Sequence, residues 1–172
     1  EDSFLLEEQV KKYSKGKTVL DIGTGSGILA LAAKESGAKS VTASDINEES
    51  SSFFKDTDIK FINSNLFSNI KSKFDLIIFN PPYLPKESKE DKVSQLATTG
   101  GKRGDEIILK FLKQAPKHMD DNGIILLLLS SLTPTERIDK LLAKLKLDKF
   151  LLSSKKLFME ELFIFKIQRQ KI

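Results

Sequence analysis

The sequence contains no cysteine and a single histidine among its 172 residues. The absence of cysteine excludes disulfide bonds, thiolate metal sites and a cysteine nucleophile. One histidine, His118, also argues against a zinc site built on histidines and against a Ser-His-Asp triad. His118 lies near the predicted end of a helix, so we expect a structural or solvent-facing role for it. Any chemistry therefore has to come from other residue types.

A long hydrophobic run is also lacking. The most apolar stretch, Ile124 to Leu129, is far too short to span a bilayer, and no signal peptide is visible. We therefore predict no membrane association and a cytoplasmic location. The net charge is +4, with lysines and glutamates interspersed, which is typical of a solvated mixed surface and leaves an acidic partner open. The length favours one domain over residues 1–172, and the abrupt start at Glu1 leaves open whether residues upstream were lost or left out.

Predicted strands and helices alternate along the chain. This pattern, closed by two consecutive strands, predicts an α/β fold: a Rossmann-like seven-stranded mostly parallel sheet with a C-terminal antiparallel hairpin and helices on both faces. An opening helix contains Phe4 to Val10, and Ile28–Lys34 forms the next. Further helices are predicted over Glu48–Lys55, Asp105–Ala115 and Pro134–Leu145, the last capped by Thr133. The predicted strands are Thr18–Ile22, Ser40–Ser44, Ile59–Asn63, Phe74–Phe79, Gly123–Ser130, Leu147–Leu157 and Leu162–Ile167, the last two joined by Glu160 and Glu161.

A glycine-rich turn follows the first strand. Its sequence runs from Asp21 through Gly23, Gly25 and Gly27. The spacing is G-x-G-x-G, whereas the dinucleotide fingerprint G-x-G-x-x-G would need its third glycine at Ile28. A carboxylate at Asp21 disfavours a phosphate and favours a cationic ligand, and S-adenosyl-L-methionine carries both an ammonium and a sulfonium. The alternative is a tight strand–helix turn that binds no ligand.

Two further polar groups follow predicted strands. Asp45 ends the second strand, where an acid can accept both hydrogens of a ribose diol; the alternative is a helix N-cap. Asn65 and Leu66 follow the third strand, where a polar group could meet the edge of an adenine while the leucine packs on its ring. A plain turn explains Asn65 and Leu66 equally well.

Asn80, Pro81, Pro82 and Tyr83 follow the fourth strand. In open α/β sheets, ligands bind where parallel strands end. Asn80 offers an amide oxygen, and the prolines stiffen the chain and remove two backbone donors. A rigid turn rich in carbonyls can hold an NH2 group by its hydrogens, with Tyr83 over a flat substrate. The alternative is a turn that only ends the strand.

Taken together, these motifs resemble the class I S-adenosylmethionine-dependent methyltransferases of the N-P-P-Y group. The chain is most similar to the HemK-like eukaryotic and archaeal branch that methylates a release-factor glutamine. The branch-specific segments are Glu1 to Leu6 and Thr99 to Gly104, and the resemblance covers nearly the whole chain. One departure is Asn65, since relatives commonly carry aspartate there, so we expect weaker or altered adenine binding.

The resemblance implies a role for each motif. Ser3 would lie near the methionine part of the cofactor or the reaction centre, and Asp45 would bind the ribose. Asn65 and Leu66 would bind the adenine. Asp21 and the glycine turn (Gly23, Gly25, Gly27) would hold the amino-acid portion of the cofactor. The substrate amide would be held by Asn80 and the carbonyl of Pro81, with Tyr83 stacked on it.

The resemblance also implies the reaction and the partners. It points to N5-methylation of a glutamine in the Gly-Gly-Gln segment of a release factor. The loop from Leu84 to Gly104 would close over that segment; the alternative is a disordered, solvated loop. A small zinc-binding activator protein would dock on the edge strand 59–63, giving a heterodimer. The modest basic excess argues against a direct nucleic-acid substrate. Three alternatives remain: an adenine-N6 nucleic-acid methyltransferase, a protein-lysine methyltransferase, and a non-catalytic subunit with a degenerate cofactor site.

Overall fold

The computed structural model describes residues 2–82 and 103–171. In this part of the chain, seven strands form one sheet in the order β3-β2-β1-β4-β5-β7-β6. Strands β1 to β5 pair in parallel, and β7 pairs antiparallel with both β5 and β6. The strands are β1 (Thr18–Ile22), β2 (Ser40–Asp45), β3 (Lys60–Asn63), β4 (Phe74–Phe79), β5 (Met119–Ser130), β6 (Leu147–Leu157) and β7 (Glu160–Arg169).

Helices cover both faces of the sheet. They are α1 (Asp2–Tyr13), α2 (Ile28–Glu35), α3 (Glu106–Gln114) and α4 (Glu136–Lys144), with short 3-10 helices at Glu48–Phe54 and Ala115–His118. Within the described residues, no helix is long and apolar enough to cross a membrane. The prediction of a seven-stranded, mostly parallel sheet with a C-terminal antiparallel hairpin is confirmed.

Alternating side chains of the central strands divide the core into two layers. Leu20 of β1 points to the layer that contains Phe111 of α3 and Ile138 of α4. Val19, its neighbour in β1, points to the layer that contains Leu6 of α1. Successive residues of a strand face opposite sides, so a central strand covered on both faces is apolar throughout. This is why β1 and β4 are mostly apolar in the sequence.

The structure corrects the predicted start of the fourth helix. The helix begins at Glu136 with Thr135 in the N-cap position, not at Pro134 after a Thr133 cap. Thr133 is buried, and its N–H donates to the carbonyl of Ser130 at 3.0 Å. Because Thr133 belongs to a turn that leaves β5, the helix can begin only after Pro134.

Other boundaries also differ from the prediction, and β5 begins at Met119 instead of Gly123. Glu48–Phe54 is a 3-10 helix, in which three consecutive serines favour backbone-directed hydrogen bonds over a regular α-helix. Glu160 and Glu161 lie inside β7 and pair with β6, so they do not form the hairpin turn. Phe158 and Met159 form it instead, and Met159 has a positive φ of 68°.

His118 has a structural role. Its ring stacks on Phe67 with centroids 4.7 Å apart, and its Nδ1 lies 3.0 Å from the carbonyl oxygen of Ser72. The stack fixes the end of the second 3-10 helix against the core, as the sequence predicted.

Candidate active site

The carboxyl ends of β1, β2, β3 and β4 bring the predicted site residues to one edge of the sheet. In the strand register, Ile22 lies opposite Ser44 on one side and Phe79 on the other. Asp45 lies opposite Asn63 in the next pair. The sheet order reverses direction between β1 and β4, and such a reversal opens a crevice at the strand ends. This edge carries the glycine turn, Asp45, the segment 63–66 and Asn80.

The glycine turn adopts backbone angles that side chains disfavour. Gly23, Gly25 and Gly27 have φ of 68°, 55° and 83°. At Gly27, an added Cβ would lie 2.8 Å from the ring of Phe54, so this glycine is required by packing. At Gly25, an added Cβ would meet nothing within 4 Å. Gly27 therefore serves the fold, whereas Gly25 leaves the surface of the turn open to a ligand.

Asp21 is a buried carboxylate beneath this turn. It is 1 % exposed, and its Oδ2 accepts a hydrogen bond from Thr24 Oγ1 at 2.8 Å. Burial raises the pKa of Asp21 from 3.8 to about 7, against the lowering effect of hydrogen bonds from Thr24 and the Ala30 backbone; the nearby charge of Asp45 raises it further. A cation placed beside Asp21 would stabilise its ionised form.

Asp45 joins the end of β2 to the glycine turn. Its Oδ2 accepts the N–H of Gly25 at 2.8 Å, and its Oδ1 accepts the N–H of Asn47 at 2.9 Å. The following 3-10 helix is capped by Asn47, whose side chain accepts the N–H of Glu49 at 3.0 Å. The alternative role of Asp45 as the helix cap is therefore wrong. Each carboxylate oxygen keeps capacity for one more donor, as a ribose diol requires.

The turn after β3 is held by a serine that the sequence analysis did not single out. Ser64 Oγ donates to the carbonyl of Leu66 at 2.8 Å and accepts the N–H of Asn69 at 3.0 Å. Leu66 adopts a positive φ of 49° and is half-buried, with part of it packed on the core. Asn65 is exposed at the tip. Both predicted adenine-binding residues thus lie at the same sheet edge as Asp45.

Asn80 and Pro81 follow β4 directly. Asn80 is half-buried and Pro81 is buried, while the preceding Phe79 stacks on Phe111 with centroids 4.3 Å apart. Phe79 also pairs with Ile22, the residue before the glycine turn. Asn80 is thereby held next to that turn.

Some predicted residues are not joined to the site by the structure. Tyr83 and the loop residues 84–102 lie outside the described residues. Ser3 is in the first turn of α1 and half-buried, and α1 packs against α2 and the strands β5, β6 and β7. These contacts do not test a role for Ser3 at the cofactor, so that role stays a prediction.

Two residues beside Asp45 escaped the sequence analysis. Ser44 Oγ is buried and has no hydrogen-bond partner within residues 2–82 and 103–171. Ile46 is an isoleucine with 47 % of its surface exposed. An apolar residue directly after a strand-ending acid was the available signal for Ile46, whereas nothing in the sequence marks Ser44. An unpaired buried hydroxyl and an exposed apolar side chain are both features of a ligand site.

The family model described as "Methyltransferase small domain" matches residues 2–156. The chain belongs to this methyltransferase family. A protein of Methanocaldococcus jannaschii, provisionally named a protein N5-glutamine methyltransferase, is 39 % identical over 150 residues, which cover 82 % of this chain and 76 % of that protein. The release factor glutamine methyltransferase of Deinococcus radiodurans is 31 % identical over 133 residues, covering 70 % of this chain but only 48 % of that protein. The family assignment confirms the predicted methyltransferase and its cofactor, S-adenosylmethionine.

A solved structure has a similar fold along nearly its whole length. It is the E. cuniculi Mtq2–Trm112 complex, described as responsible for methylation of the translation termination factor eRF1. The match has a TM-score of 0.76 and covers 98 % of this chain and 95 % of that chain at 22 % identity. The predicted Rossmann-like methyltransferase fold is confirmed.

The described residues fit S-adenosylmethionine. The buried carboxylate of Asp21 suits an ammonium group, and Asp45 retains acceptor capacity for a ribose. Gly25 leaves open space above the turn between them.

Proposed function

We propose that this chain transfers the methyl group of S-adenosylmethionine to the side-chain amide nitrogen of a glutamine in a translation release factor. The names of the archaeal and bacterial relatives support this acceptor. The observation that carries the proposal is the pairing of Phe79 with Ile22, which sets Asn80 beside the glycine turn. The group that holds an amide and the turn that holds the methyl donor are thus neighbours at one sheet edge.

The donor side uses residues of β1, β2 and β3. Asp21 would bond the ammonium of the cofactor, and the turn through Gly23, Gly25 and Gly27 would hold its methionine part. Asp45 would bond the ribose hydroxyls. Asn65 would offer its amide to the adenine, and the half-buried Leu66 and the exposed Ile46 would supply apolar contacts to it. Ser3 is assigned to the methionine end of the cofactor.

The acceptor side is built to orient an amide. S-adenosylmethionine supplies an electrophilic methyl group on a sulfonium. An amide nitrogen is a poor nucleophile because its lone pair is delocalised into the carbonyl. Asn80 Oδ1 and the carbonyl of Pro81 would accept hydrogen bonds from the two amide N–H groups and turn the nitrogen toward the donor, and Tyr83 would stack on the amide plane. As the nitrogen–methyl bond forms, the sulfur–methyl bond breaks, S-adenosylhomocysteine leaves and one amide proton passes to water. Such positioning can supply up to ~7–11 kcal/mol of barrier reduction.

A planar NH2 group fits two fixed acceptors better than the flexible ammonium of a lysine. It fits an adenine equally well, so the acceptor protein has to be tested directly against nucleic acid. A degenerate cofactor-binding subunit is the further alternative, and a titration with S-adenosylmethionine distinguishes it.

The partner proposal rests on the exposed edge of the sheet. β3 (Lys60–Asn63) is an edge strand, and its Phe61 stacks on Phe54 with centroids 6.1 Å apart. Phe53, just upstream, is 52 % exposed. An edge strand beside an apolar side chain can pair with another chain. We assign this edge to a small zinc-binding activator protein and place the pair in the cytoplasm, where release factors work. The structural neighbour Mtq2 also forms a complex with a second protein, Trm112, which supports a two-protein assembly.

The test is methyl transfer from labelled S-adenosylmethionine to a purified release factor, with and without the activator. We expect label on the glutamine of the Gly-Gly-Gln segment, located by tandem mass spectrometry. A release factor with that glutamine replaced by glutamate is the matched control and should take no label. Label on adenine or lysine, or on the control protein, would assign the enzyme to another acceptor.

A further inference from the structure

The turn of the C-terminal hairpin carries the most exposed large apolar side chains in the described part of the chain. Phe158 is 93 % exposed and Met159 is 81 % exposed; these two residues are the hairpin tip. Leu132, in the neighbouring turn after β5, is 47 % exposed. Soluble proteins rarely group large apolar side chains in water without a binding role.

The strand register places the hairpin tip beside the active-site edge. Phe79 lies opposite Leu127, so Asn80 is level with Leu128, which pairs with Ile164 of β7. Met159 is five residues before Ile164, which puts the tip about 17 Å beyond Asn80 along the strand direction at ~3.4 Å per residue. Two strand spacings separate β7 from β4, or about 10 Å. The hairpin tip therefore forms a wall that stands above one side of the active site.

Hydrogen bonds fix this wall in place. Ser131 N–H donates to the carbonyl of Glu161 at 2.8 Å, and Glu161 N–H donates to Ser131 Oγ at 2.8 Å. Ser130 Oγ donates to Glu160 Oε2 at 2.6 Å. The turn that contains Leu132 is thus bonded to the base of the hairpin, and both present their apolar side chains from one rigid unit.

The backbone at the hairpin tip is not optimal for the fold alone. Met159 has a φ of 68°, a region where glycine or asparagine is comfortable and a long side chain is disfavoured. An apolar side chain retained in such a conformation, and almost fully in water, contributes little to folding. Strain of this kind is typical of functional positions.

We propose that the hairpin tip and Leu132 form the docking surface for the folded body of the protein substrate, the release factor. This proposal rests on the proposed function, because only a protein acceptor needs a surface beyond the reacting glutamine. A glutamine that reaches Asn80 from a loop brings its own protein against the wall. Lys155 and Lys156 on β6 and Glu160 and Glu161 on β7 flank the tip, so the complementary patch is apolar with a margin of mixed charge.

The experiment compares binding and transfer in one double variant. Phe158→Ser with Met159→Ser removes the apolar tip. Leu151→Ser is the matched control, since Leu151 is 56 % exposed on the same hairpin but pairs with Phe165 midway along its strands, away from the tip. Binding of the release factor is measured by calorimetry with S-adenosylhomocysteine present. Methyl transfer is measured on the release factor and on a short peptide that carries the same glutamine.

We expect the double variant to bind the release factor at least about tenfold more weakly and to show a matching rise in KM for it. Its kcat and its KM for the peptide should match those of the wild type, and the control should behave as wild type throughout. Unchanged binding in the double variant overturns the docking surface, as does equal loss with the peptide. Absence of any binding by the wild type also overturns it. Tip-dependent binding without methyl transfer by the wild type leaves the docking surface standing and refutes the proposed function alone.

Discussion

The strongest prediction concerns the stability of Asp21→Asn as a function of pH. Asp21 has a pKa of about 7 in the folded protein and 3.8 as the ordinary value. Between these values the folded state holds a proton that the unfolded state has released. Stability therefore falls as pH rises through this window, and levels off above pH 7 and below pH 4.

The size of the effect follows from the slope of about 1.4 kcal/mol per pH unit for one proton. From pH 5 to pH 7, the wild type should lose about 2–3 kcal/mol of unfolding free energy that the variant does not lose. Asparagine keeps the shape of the side chain and can still bond the hydroxyl of Thr24. The unfolding free energy of the variant should consequently rise relative to that of the wild type as pH rises, and this difference is the quantity to measure.

Urea denaturation at pH 5, 6 and 7 without ligand provides the assay. Asp75→Asn is the matched control. The backbone N–H of Thr18 donates to Asp75 and lowers the pKa of that carboxyl, so the contribution of Asp75 to folding stability is lost only as pH falls below the ordinary value of 3.8. The difference between this control and the wild type should stay constant from pH 5 to 7. Parallel stability curves for the wild type and Asp21→Asn would refute the assignment of a proton to buried Asp21.

The same carboxyl makes cofactor binding depend on pH. A cationic ammonium needs the ionised form, so the affinity for S-adenosylmethionine should fall by up to about tenfold per pH unit below 7. Calorimetry in two buffers of different ionisation enthalpy should detect about one proton released per site at pH 6. A pH-independent affinity would show that Asp21 does not meet the ammonium.

Three further predictions concern catalysis and stability. Asn80→Ala should lower kcat by about 10²–10³-fold, because one of the two acceptors for the amide is lost, while the cofactor dissociation constant stays within about threefold of the wild type. Asn122→Ala, at an exposed position, is the control. Near-normal turnover in Asn80→Ala would refute the acceptor role of Asn80. Gly27→Ala should cost about 3 kcal/mol of unfolding free energy, because the backbone has a positive φ and the added Cβ would lie 2.8 Å from an aromatic ring. Gly16→Ala is the control and should cost about 1 kcal/mol, because it has a φ of 74° but no atom within 4 Å of the added Cβ. Equal costs would contradict the packing role of Gly27. Met159→Asn should stabilise the protein by about 0.5–1 kcal/mol in the same denaturation assay, because asparagine tolerates this backbone conformation, and a loss of stability would mean that Met159 is not strained.

The central strands were predictable because the same pattern encodes their structure and their burial. β1 and β4 were predicted with the bounds that the structure shows, since each is an apolar run ended by glycine or proline. The edge position of β3 was also predicted correctly. Pairing partners along the sheet then place the strand ends together without further information.

The errors arose where a local signal had two solutions. Thr133 and Pro134 match the pattern of a helix start, but Thr133 bonds Ser130 in the turn that leaves β5, so the helix begins later. Glu160 and Glu161 look like a polar turn, but Glu160 bonds Ser130 and both pair within the sheet. The unpaired state of Ser44 Oγ depends on which groups the folded chain places around it, and no pattern in the sequence contains this information.

The bond from Gly25 to Asp45 has a consequence for turnover. The N–H of Gly25 already bonds Asp45, the acid to which we assign the ribose, so we expect little ordering of the chain when the cofactor binds. S-adenosylhomocysteine retains the ammonium and the ribose that Asp21 and Asp45 would hold, and it would meet the same surface. The enzyme should therefore be inhibited strongly by its own product, and its rate in a cell would follow the ratio of donor to product more closely than the donor concentration alone.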